Sequence, residues 1–342
     1  MEKNRPDLSN NSLDILKTLC AIFIVGMHVA PVVPNEFANI LLVQLIFRCG
    51  VPVFFISSGF FFSKMDDKSR SRYLKRILIV YAVSSLLYLP YTLQLYMIGA
   101  VGVRSIIRVI VFGNGHLWYM VSLFVSLLLW HIAGRIRFIR SISDKVIIIL
   151  AIAVLMIGAF FDEYYHIIDN PVTTGIGTFI DRYGTTRSAV FMGIPLVLIG
   201  RHIRSHQEIL RAGKMRSICI LIMSTAASFG ELMFILHNTP EDRSPSCDLT
   251  FFNWISPVIL FILAMSNAPF RISRERSRDL RKTAVIVYVI HPFIRDVPAG
   301  WFRDCRYMLQ YVAVLILSYF LAYISLKLIR MIIPTKLIES EG

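Results

Sequence analysis

The sequence predicts an all-α fold, a polytopic membrane protein built as a bundle of about ten transmembrane helices with both termini in the cytoplasm. Of its 342 residues, 56% are hydrophobic and 17% are charged, and the mean hydropathy is +0.62. Soluble domains have a smaller apolar share, which polar faces interrupt. The basic residues also lie between apolar segments and are not gathered in one region. This alternation is typical of a chain that crosses a membrane repeatedly.

The apolar segments define a single membrane domain over residues 1–342, so that any chemistry takes place in or at the bilayer. The first span is expected to be an uncleaved helix, because no cleavage site of small residues follows it. Between the third and fourth spans, the stretch with Arg104 and Arg108 predicts a short amphipathic helix at the membrane interface. The predicted spans are 13–33, 40–63, 76–98, 116–134, 146–161, 188–200, 216–236, 250–267, 283–300 and 307–333.

Lys and Arg are distributed unequally between the two sides of this layout. Of 36 such residues, 26 fall on the side of the two termini and eight fall on the other side. Cytoplasmic loops carry the excess of Lys and Arg, so both termini are predicted to be cytoplasmic. Topology and contact with anionic lipid of the bilayer explain the net charge of +14. Nucleic acid is therefore not an expected partner.

The first span contains two ionisable residues, Lys17 and His28. A charge inside a span is costly and usually marks a functional site that faces the protein interior. Their separation of eleven residues makes three helical turns plus about 20°, which puts both side chains on one face, about 16 Å apart along the axis. Lys17 is then expected near the cytoplasmic surface and His28 beyond the middle of the bilayer.

The third span begins with a basic run, SRYLKRILIVY. Arg72, Lys75 and Arg76 have helical i, i+3, i+4 spacing and can form one patch suited to a phosphorylated ligand. Lys17 is expected at the same depth and is grouped with this patch. Taken singly, each residue is equally typical of a positively charged cytoplasmic flank.

Four ionisable side chains are predicted in the outer halves of their spans: His28, His116, Glu231 and His291. Histidine takes and gives a proton near neutral pH, and a buried carboxylate can orient it. A lone histidine at an interface is more often a hydrogen-bonded structural residue. Several such residues at one depth favour proton transfer, with His28 as the general base.

The segment FDEYYHIIDNPVTTGIGTFIDRYGTTRS is predicted to be the longest external connection. Its tyrosines, including Tyr165, together with carboxylates and arginines suit a polar acceptor such as a sugar or an amino acid. The alternative is an ordinary exposed loop, which is polar in any case. Arg187 lies at the start of a span, where a buried charge needs a partner such as Asp162.

The second span contains RCGVPVFFISSGFFFSK, in which Gly50, Pro52 and Gly59 interrupt the regular helix. Small residues in a membrane helix indicate close packing of neighbouring helices. The five cysteines show no metal-ligand spacing, so no metal site is predicted. Only Cys247 and Cys305 are placed by the layout on the same oxidising side, where a disulfide is possible.

Five motifs occur in order along the chain: Lys17-x10-His28, VPVFFISSGFFF, the basic entry from Arg72 to Arg76, HLWYM with His116 and Trp118, and YVIHP with His291. Through these motifs the chain resembles the acyltransferase-3 family of integral membrane acyltransferases. The resemblance implies a ten-helix fold in the bacterial plasma membrane that binds acyl-CoA from the cytoplasm. It also implies transfer of the acyl group, typically acetyl, to an acceptor at the outer face, with His28 as the catalytic residue of the family's basic-x10-His motif. Trp118 and His291 are assigned to the acceptor site.

Within this family the chain is most similar to the membrane half of the vancomycin-resistance membrane-bound serine racemases. The similarity lies in LYLPY at 88–92, in FDEYY, in the segment with Arg187 and in FGE at 229–231. Those racemases carry a cytosolic pyridoxal-phosphate domain after the membrane part, and no sequence of that length follows Pro334 here. We therefore expect this chain not to racemise serine by itself. An esterase-like extracellular domain is not expected either, which leaves the acceptor open.

Two functions from different classes remain. The first is an O-acyltransferase with acyl-CoA as co-substrate and a cell-envelope glycan or small molecule as acceptor, in which Lys17, His116 and Glu231 assist His28. The second is a transporter of a small amino acid such as serine, because charged residues inside a membrane equally suit a substrate path. The basic patch distinguishes them, since CoA needs phosphate contacts at Arg72 and Arg76 and serine does not.

Overall fold

The computed structural model describes residues 11–113, 115–168, 170–183, 186–211, 213–240, 243, 245–266, 273–296 and 307–332. No β-strand occurs among these residues, so the all-α prediction is confirmed. Short π-helical and 3₁₀ segments connect or extend several helices. The helices are α1 (Asn11–Val29), α2 (Glu36–Leu41), α3 (Gly50–Phe62), α4 (Asp67–Met97), α5 (Val103–Phe112), α6 (Trp118–Ala133), α7 (Arg137–Ser141), α8 (Asp144–Ala159), α9 (Tyr165–Ile167), α10 (Pro171–Tyr183), α11 (Ile194–Ser205), α12 (Lys214–Asn238), α13 (Ile255–Ser266), α14 (Arg274–Asp296) and α15 (Met308–Ile332).

Within the described ranges, seven segments are long and apolar enough to cross a membrane, and each coincides with a predicted span. They are Ser12–Val29, Glu36–Phe62, Asp67–Met97, Gly115–Ala133, Asp144–Ile167, Lys214–Asn238 and Met308–Ile329. The shorter apolar helix α13 lies at the predicted eighth span, and α11 and α14 lie at the sixth and ninth. The chain is therefore a multi-pass membrane protein. The count of ten and the cytoplasmic termini stay predictions.

Helix α8 continues beyond the predicted end of the fifth span. A π-helical segment, Phe160–Tyr164, and then α9 extend it, and α10 follows as a further helix. The prediction of an exposed connection is wrong at its start, because Asp162 is 8% exposed and Glu163 is fully buried. Both carboxylates have hydrogen-bond partners, which allows a buried segment to contain acidic residues.

Two compact units make up the chain, and the first comprises Met1–Gly50 with Asn267–Gly342. Its described membrane helices include α1, α14 and α15, which share an apolar core. The core residues are Val25, Val29, Val32, Val43, Phe47, Val287, Ile294, Tyr311, Val314 and Ala322. Cys305, of the predicted disulfide pair, lies outside the described residues.

Helices α1 and α14 run parallel to each other along their length. In the N-terminal halves of both helices, the Asp14 carboxylate accepts a hydrogen bond from Arg281 Nη1 at 2.7 Å. Near their last turns, the His28 carbonyl oxygen accepts one from Arg295 Nη1 at 2.6 Å. The predicted layout requires this shared direction of the first and ninth spans.

Helix α15 runs antiparallel to α1. The Tyr311 hydroxyl donates to the Ile22 carbonyl oxygen at 3.1 Å, and the Tyr319 hydroxyl, two turns later, donates to the Thr18 carbonyl oxygen at 3.4 Å. Tyrosine hydroxyls thus satisfy polar atoms that would otherwise face hydrocarbon. The opposite direction of α15 is the one that the predicted tenth span requires.

The second unit is Val51–Ser266, and α3 and α11 make a close helix contact within it. A Cβ atom on Gly59 would overlap the carbonyl oxygen of Val197, and one on Gly200 would overlap the carbonyl oxygen of Ile56. The two backbones therefore meet with no side chain between them, as small residues in membrane helices permit. The interpretation of Gly59 as a packing residue is confirmed.

We expect Gly59→Ala and Gly200→Ala each to destabilise the protein by about 1–3 kcal/mol, because the added methyl group meets backbone that cannot rotate away. The measurement is thermal unfolding of purified protein in detergent, followed by loss of the monodisperse fraction. Gly230→Ala in α12 is the matched control, since a Cβ there has no atom within 4 Å. It should be neutral or stabilising by up to about 1 kcal/mol through helix propensity. Equal behaviour of all three variants would contradict the close contact.

Candidate functional site

Lys17 lies near the start of α1, in a cluster of charged side chains that also contains Asp14 and Arg281. Asp14, one turn earlier, is buried and accepts hydrogen bonds from the Ser277 hydroxyl and from Arg281. Lys17 interacts electrostatically with both Asp14 and Arg281, and its side chain is half-buried. This end of α1 therefore presents two cations around one buried carboxylate.

His28 lies at the other end of the same unbroken helix, as the sequence predicts. Its imidazole ring packs against that of His291, with ring centroids 5.1 Å apart and planes inclined by 44°. The hydrogen bond from Arg295 fixes the backbone of His28, and Arg295 also pairs with Asp296 at 2.5 Å. Two predicted site residues, His28 and His291, are thus brought into direct contact.

The second histidine of this pair has a defined orientation. His291 is fully buried, and its Nδ1 lies 3.0 Å from the Val287 carbonyl oxygen. A carbonyl oxygen only accepts, so Nδ1 carries the proton, and a neutral ring then has its lone pair on Nε2. The pair therefore combines a half-buried imidazole, His28, with a buried imidazole whose tautomer is fixed.

The predicted basic patch is a face of α4. Arg72, Lys75 and Arg76 are exposed and share that face, and Arg72 Nη2 donates to the Ser69 hydroxyl at 3.2 Å. The helix begins after Asp66, and the hydrogen bonds that its carboxylate receives from Ser69 lower the pKa of Asp66. The spacing of the patch is confirmed, whereas its grouping with Lys17 stays a prediction.

His116 and Trp118 lie where a 3₁₀ segment, Gly115–Leu117, leads into α6. His116 is buried. Its ring packs edge-to-face with the Tyr88 ring, and the two ring centroids are 5.3 Å apart. Trp118 is half-buried and packs 6.5 Å from the Phe55 ring. Both residues are therefore set in an aromatic environment, and Trp118 retains some exposed surface.

The exposure of Tyr165 and Arg187 is the opposite of what their predicted roles require: Tyr165 is buried, and Arg187 is exposed. Tyr165 is 3% exposed, and its ring fills the space where a Cβ of Gly177 would lie. The Arg187 side chain is 48% exposed, and its Nε lies 2.9 Å from Asp248 Oδ2. The predicted burial of Arg187 is therefore wrong, because the guanidinium reaches its partner from the surface.

Asp162 and Glu163, in the π-helical segment that follows α8, accept hydrogen bonds from the segment that follows α12. Asp162 accepts hydrogen bonds from the Thr186 hydroxyl and, at 3.1 Å, from the Leu249 amide. Glu163 accepts the Cys247 amide at 2.6 Å and forms an ion pair with Arg243 at 3.1 Å. Buried carboxylates are stable when such donors surround them.

Glu231 binds the same segment from α12. Its Oε1 accepts hydrogen bonds from the Tyr164 hydroxyl at 2.8 Å and from the Phe251 amide at 2.7 Å. Its Oε2 accepts the Phe252 amide at 2.9 Å. Both carboxylate oxygens are thus engaged in fixing backbone, which suits a positioning role.

Sequence reasoning missed Asp14, Arg281 and Arg295, which surround the two predicted residues of α1. Two of them carried a usable signal. Asp14 precedes Lys17 by three residues and Arg295 follows His291 by four, and both spacings place side chains on one helix face. Arg281 needs the pairing of α1 with α14, which no local pattern reveals.

Comparisons with known proteins agree with the predicted resemblance. A family model described as an acyltransferase domain, that of the acyltransferase-3 family, matches residues 10–327. An amino-acid racemase of Enterococcus faecalis is 24% identical over 345 residues, covering 94% of this chain and 46% of the relative. A serine/alanine racemase of Enterococcus gallinarum is 28% identical over 220 residues, covering 59% of this chain and 30% of the relative.

This chain thus spans about half the length, or less, of the curated relatives it matches. No solved structure matches it. The predicted resemblance to the acyltransferase-3 family, and within it to membrane-bound serine racemases, is confirmed.

We expect Glu231→Ala to lower the stability of the protein, because it leaves the Phe251 and Phe252 amides without their acceptor. A donor that loses its acceptor in a partly buried site costs up to about 1–3 kcal/mol. Thermal unfolding in detergent measures the loss, and limited proteolysis should show faster cleavage within 245–254. Glu208→Ala, at an exposed position, serves as the control and should change neither. If Glu231→Ala matched the control in both assays, its anchoring role would be refuted.

Proposed function

Because this chain belongs to the acyltransferase-3 family of integral membrane acyltransferases, we propose that it moves an acyl group, in the first place acetyl, from cytoplasmic acyl-CoA to an outer acceptor. The acceptor is a hydroxyl of a cell-envelope glycan or of another extracytoplasmic molecule. The main support is α1, a single helix that carries Lys17 near one end and His28 near the other. About 16 Å of helix separates them, enough to link a cytoplasmic cofactor to chemistry deeper in the bilayer.

In this proposal, the cations bind the phosphates of CoA. Arg72, Lys75 and Arg76 are exposed on one face of α4, and guanidinium groups bind phosphate in bidentate fashion. Lys17 is assigned to the same ligand. The Asp14 carboxylate attracts the Lys17 ammonium, whereas the Arg281 guanidinium repels it.

His28 is proposed as the general base. It takes the proton from the acceptor hydroxyl as that oxygen attacks the thioester carbonyl carbon, and the tetrahedral intermediate then expels CoA, whose sulfur receives the proton. The ring of His291, 5.1 Å away, limits the positions that the His28 ring can take. The hydrogen bond from Arg295 to the His28 carbonyl oxygen holds the backbone that carries the base.

The other predicted residues have unequal support. His116 is buried beside Tyr88 and is kept as an assisting residue. For Glu231, which binds two backbone amides, we propose positioning in place of proton transfer. Arg187 and Trp118 have exposed surface and are proposed to contact the acceptor, whereas Asp162, Tyr165 and the buried His291 are proposed to support that region from within.

The proposed setting is the bacterial plasma membrane, crossed about ten times with both termini in the cytoplasm. The parallel pair α1 and α14 and the antiparallel α15 support this layout, since they have the directions required of the first, ninth and tenth spans. In this layout the N-terminal end of α4, which carries Arg72, lies on the cytoplasmic side. Acyl-CoA is available there.

The relatives support a second candidate, passage of a small amino acid such as serine through the membrane. Both relatives compared above are named as racemases of amino acids, and charged residues inside a membrane equally suit a substrate path. Serine carries no phosphate, so this candidate leaves the cations of α4 without a ligand. The acyltransferase proposal gives them one.

We expect Arg72→Ala combined with Arg76→Ala to weaken acetyl-CoA binding strongly, because two phosphate contacts are lost. Isothermal titration of detergent-purified protein measures the affinity, and dephospho-CoA should bind more weakly than CoA to the wild type. The control is Arg104→Ala with Arg108→Ala, a basic pair on α5 that is predicted to lie on the other side of the membrane. Unchanged binding in the α4 variant, together with serine uptake into proteoliposomes, would replace this proposal by the transporter.

Substitutions of Lys17 and His28 should have different effects, on acetyl-CoA binding and on acyl transfer respectively. We expect Lys17→Ala to weaken acetyl-CoA binding, and His28→Ala to leave the affinity close to that of the wild type because the imidazole does not contact the phosphates. Titration measures both, and size-exclusion profiles establish that each variant is folded. Loss of folded protein in both variants would indicate that the two residues only hold α1 in the bundle.

A further inference from the structure

A cluster of metal-ligand type lies outside the site described above, where the start of α8 meets the end of α11. Asp144 is the first residue of α8. His202 and His206 are four residues apart, within α11 and at its C-terminal cap, so they project on the same side. One ligand atom from each of the three residues lies within 4.8 Å of the others.

Both imidazole rings have their Nδ1 atom close to the same carboxylate oxygen. Asp144 Oδ2 lies 2.5 Å from His202 Nδ1 and 3.4 Å from His206 Nδ1, and the two rings are 4.3 Å apart between centroids. The other oxygen, Oδ1, accepts a hydrogen bond from Arg201 Nη1. Arg201 is itself held over the Trp130 ring at 4.6 Å. The carboxylate is therefore fixed on one side and faces two histidines on the other.

Charge balance disfavours a simple ion-pair cluster. Two imidazolium rings beside the Arg201 guanidinium would place three positive charges around one carboxylate, and the rings would repel each other at this separation. Two neutral imidazoles avoid this repulsion. Their Nδ1 atoms lie against acceptors, Asp144 Oδ2 at 2.5 Å from His202 and the His202 carbonyl oxygen at 3.2 Å from His206, so a metal ion would replace the protons that these contacts place on Nδ1. Neutral imidazole is the form that binds metal ions, and a carboxylate completes the charge.

We propose that Asp144, His202 and His206 bind one divalent transition-metal ion of the zinc class. Metal to nitrogen and metal to oxygen distances of about 2.0–2.2 Å in a tetrahedral site separate neighbouring ligand atoms by about 3.3–3.6 Å. The His206 to Asp144 distance of 3.4 Å already fits, and the His202 to Asp144 distance of 2.5 Å must widen by about 1 Å. Side chains that are 21% to 37% exposed can make this adjustment.

The chemistry of the ligands selects the kind of metal. Two imidazole nitrogens and one carboxylate oxygen suit Zn²⁺, Co²⁺, Ni²⁺ or Cu²⁺, whereas Mg²⁺ and Ca²⁺ prefer oxygen ligands alone. Three protein ligands leave a fourth position for water or for an added ligand. The bond from Arg201 to Asp144 orients the carboxylate from outside, as partners of metal ligands do. The ion would join α8 to α11.

The sequence concealed this cluster because its two parts are 58 residues apart. The absence of a cysteine pattern led to the expectation of no metal site, whereas the candidate ligands are histidines and an aspartate. His202 and His206 alone have an ordinary i, i+4 spacing. Only the packing of α8 against α11 adds the third ligand.

The test is metal titration of protein purified without a polyhistidine tag and stripped with chelator. We expect the wild type to bind one Co²⁺ per chain, with the visible absorption of a tetrahedral site, and Zn²⁺ to displace it. His202→Ala and His206→Ala should each lower the Zn²⁺ affinity by more than the roughly 10- to 100-fold that removal of an outer partner costs. Arg201→Met should fall within that smaller range.

Three controls separate this site from other ligands and from misfolding. His237→Ala, at an exposed histidine of α12, and Cys219→Ser, at an exposed cysteine, should both bind Co²⁺ like the wild type. The histidine variants should keep the size-exclusion profile of the wild type. Asp144→Asn is a less specific test of metal binding, because it also breaks the ion pair with Arg201. No stoichiometric Co²⁺ binding by the wild type, or equal binding by the His202→Ala/His206→Ala double variant, would overturn the proposal. The assay contains no acyl-CoA, so its outcome is independent of the proposed acyl transfer.

Discussion

Pairing of charged groups along α1 and α14 is the constraint on which the first unit depends. A buried carboxylate without partners is strongly disfavoured in a membrane segment, and Asp14 obtains its partners, Ser277 and Arg281, from α14. At the far end, Arg295 of α14 binds the backbone of His28. These two contacts fix both the direction and the register of the helices. A shift of one residue would separate both sets of partners, so the same contacts that stabilise the pair also hold the His28 and His291 rings together.

The second unit solves the same problem with a folded segment in place of a neighbouring helix. Asp162, Glu163 and Glu231 would be costly inside a helical bundle, and backbone amides of residues 247–252 provide their donors. The carboxylates therefore organise an irregular segment whose amides need acceptors as much as the carboxylates need donors. This reciprocity explains why residues that look like acid-base candidates in the sequence are engaged in structure.

Local patterns predicted what depends on local physics. Apolar length located the helices, and the separation of eleven positions between Lys17 and His28 placed both on one helix face. The basic face of α4 and the close contact at Gly59 followed from residue type and spacing. The continuation of α8 through the π-helical segment Phe160–Tyr164 was missed because its acidic residues imitate a loop. Arg281 and the cluster around Asp144 were missed because each combines residues that are far apart in the chain.

The central claim is that His28 acts on an acyl group delivered by CoA. Inside-out membrane vesicles that contain the wild type or His28→Ala can be given CoA carrying a labelled acetyl group at their outer, cytoplasmic face. The label that becomes covalently attached to material within the vesicles is then measured. The account predicts accumulation with the wild type and background labelling with His28→Ala, although the variant still binds acetyl-CoA. Equal labelling by both proteins, or no labelling by wild-type vesicles that take up labelled serine, would contradict it.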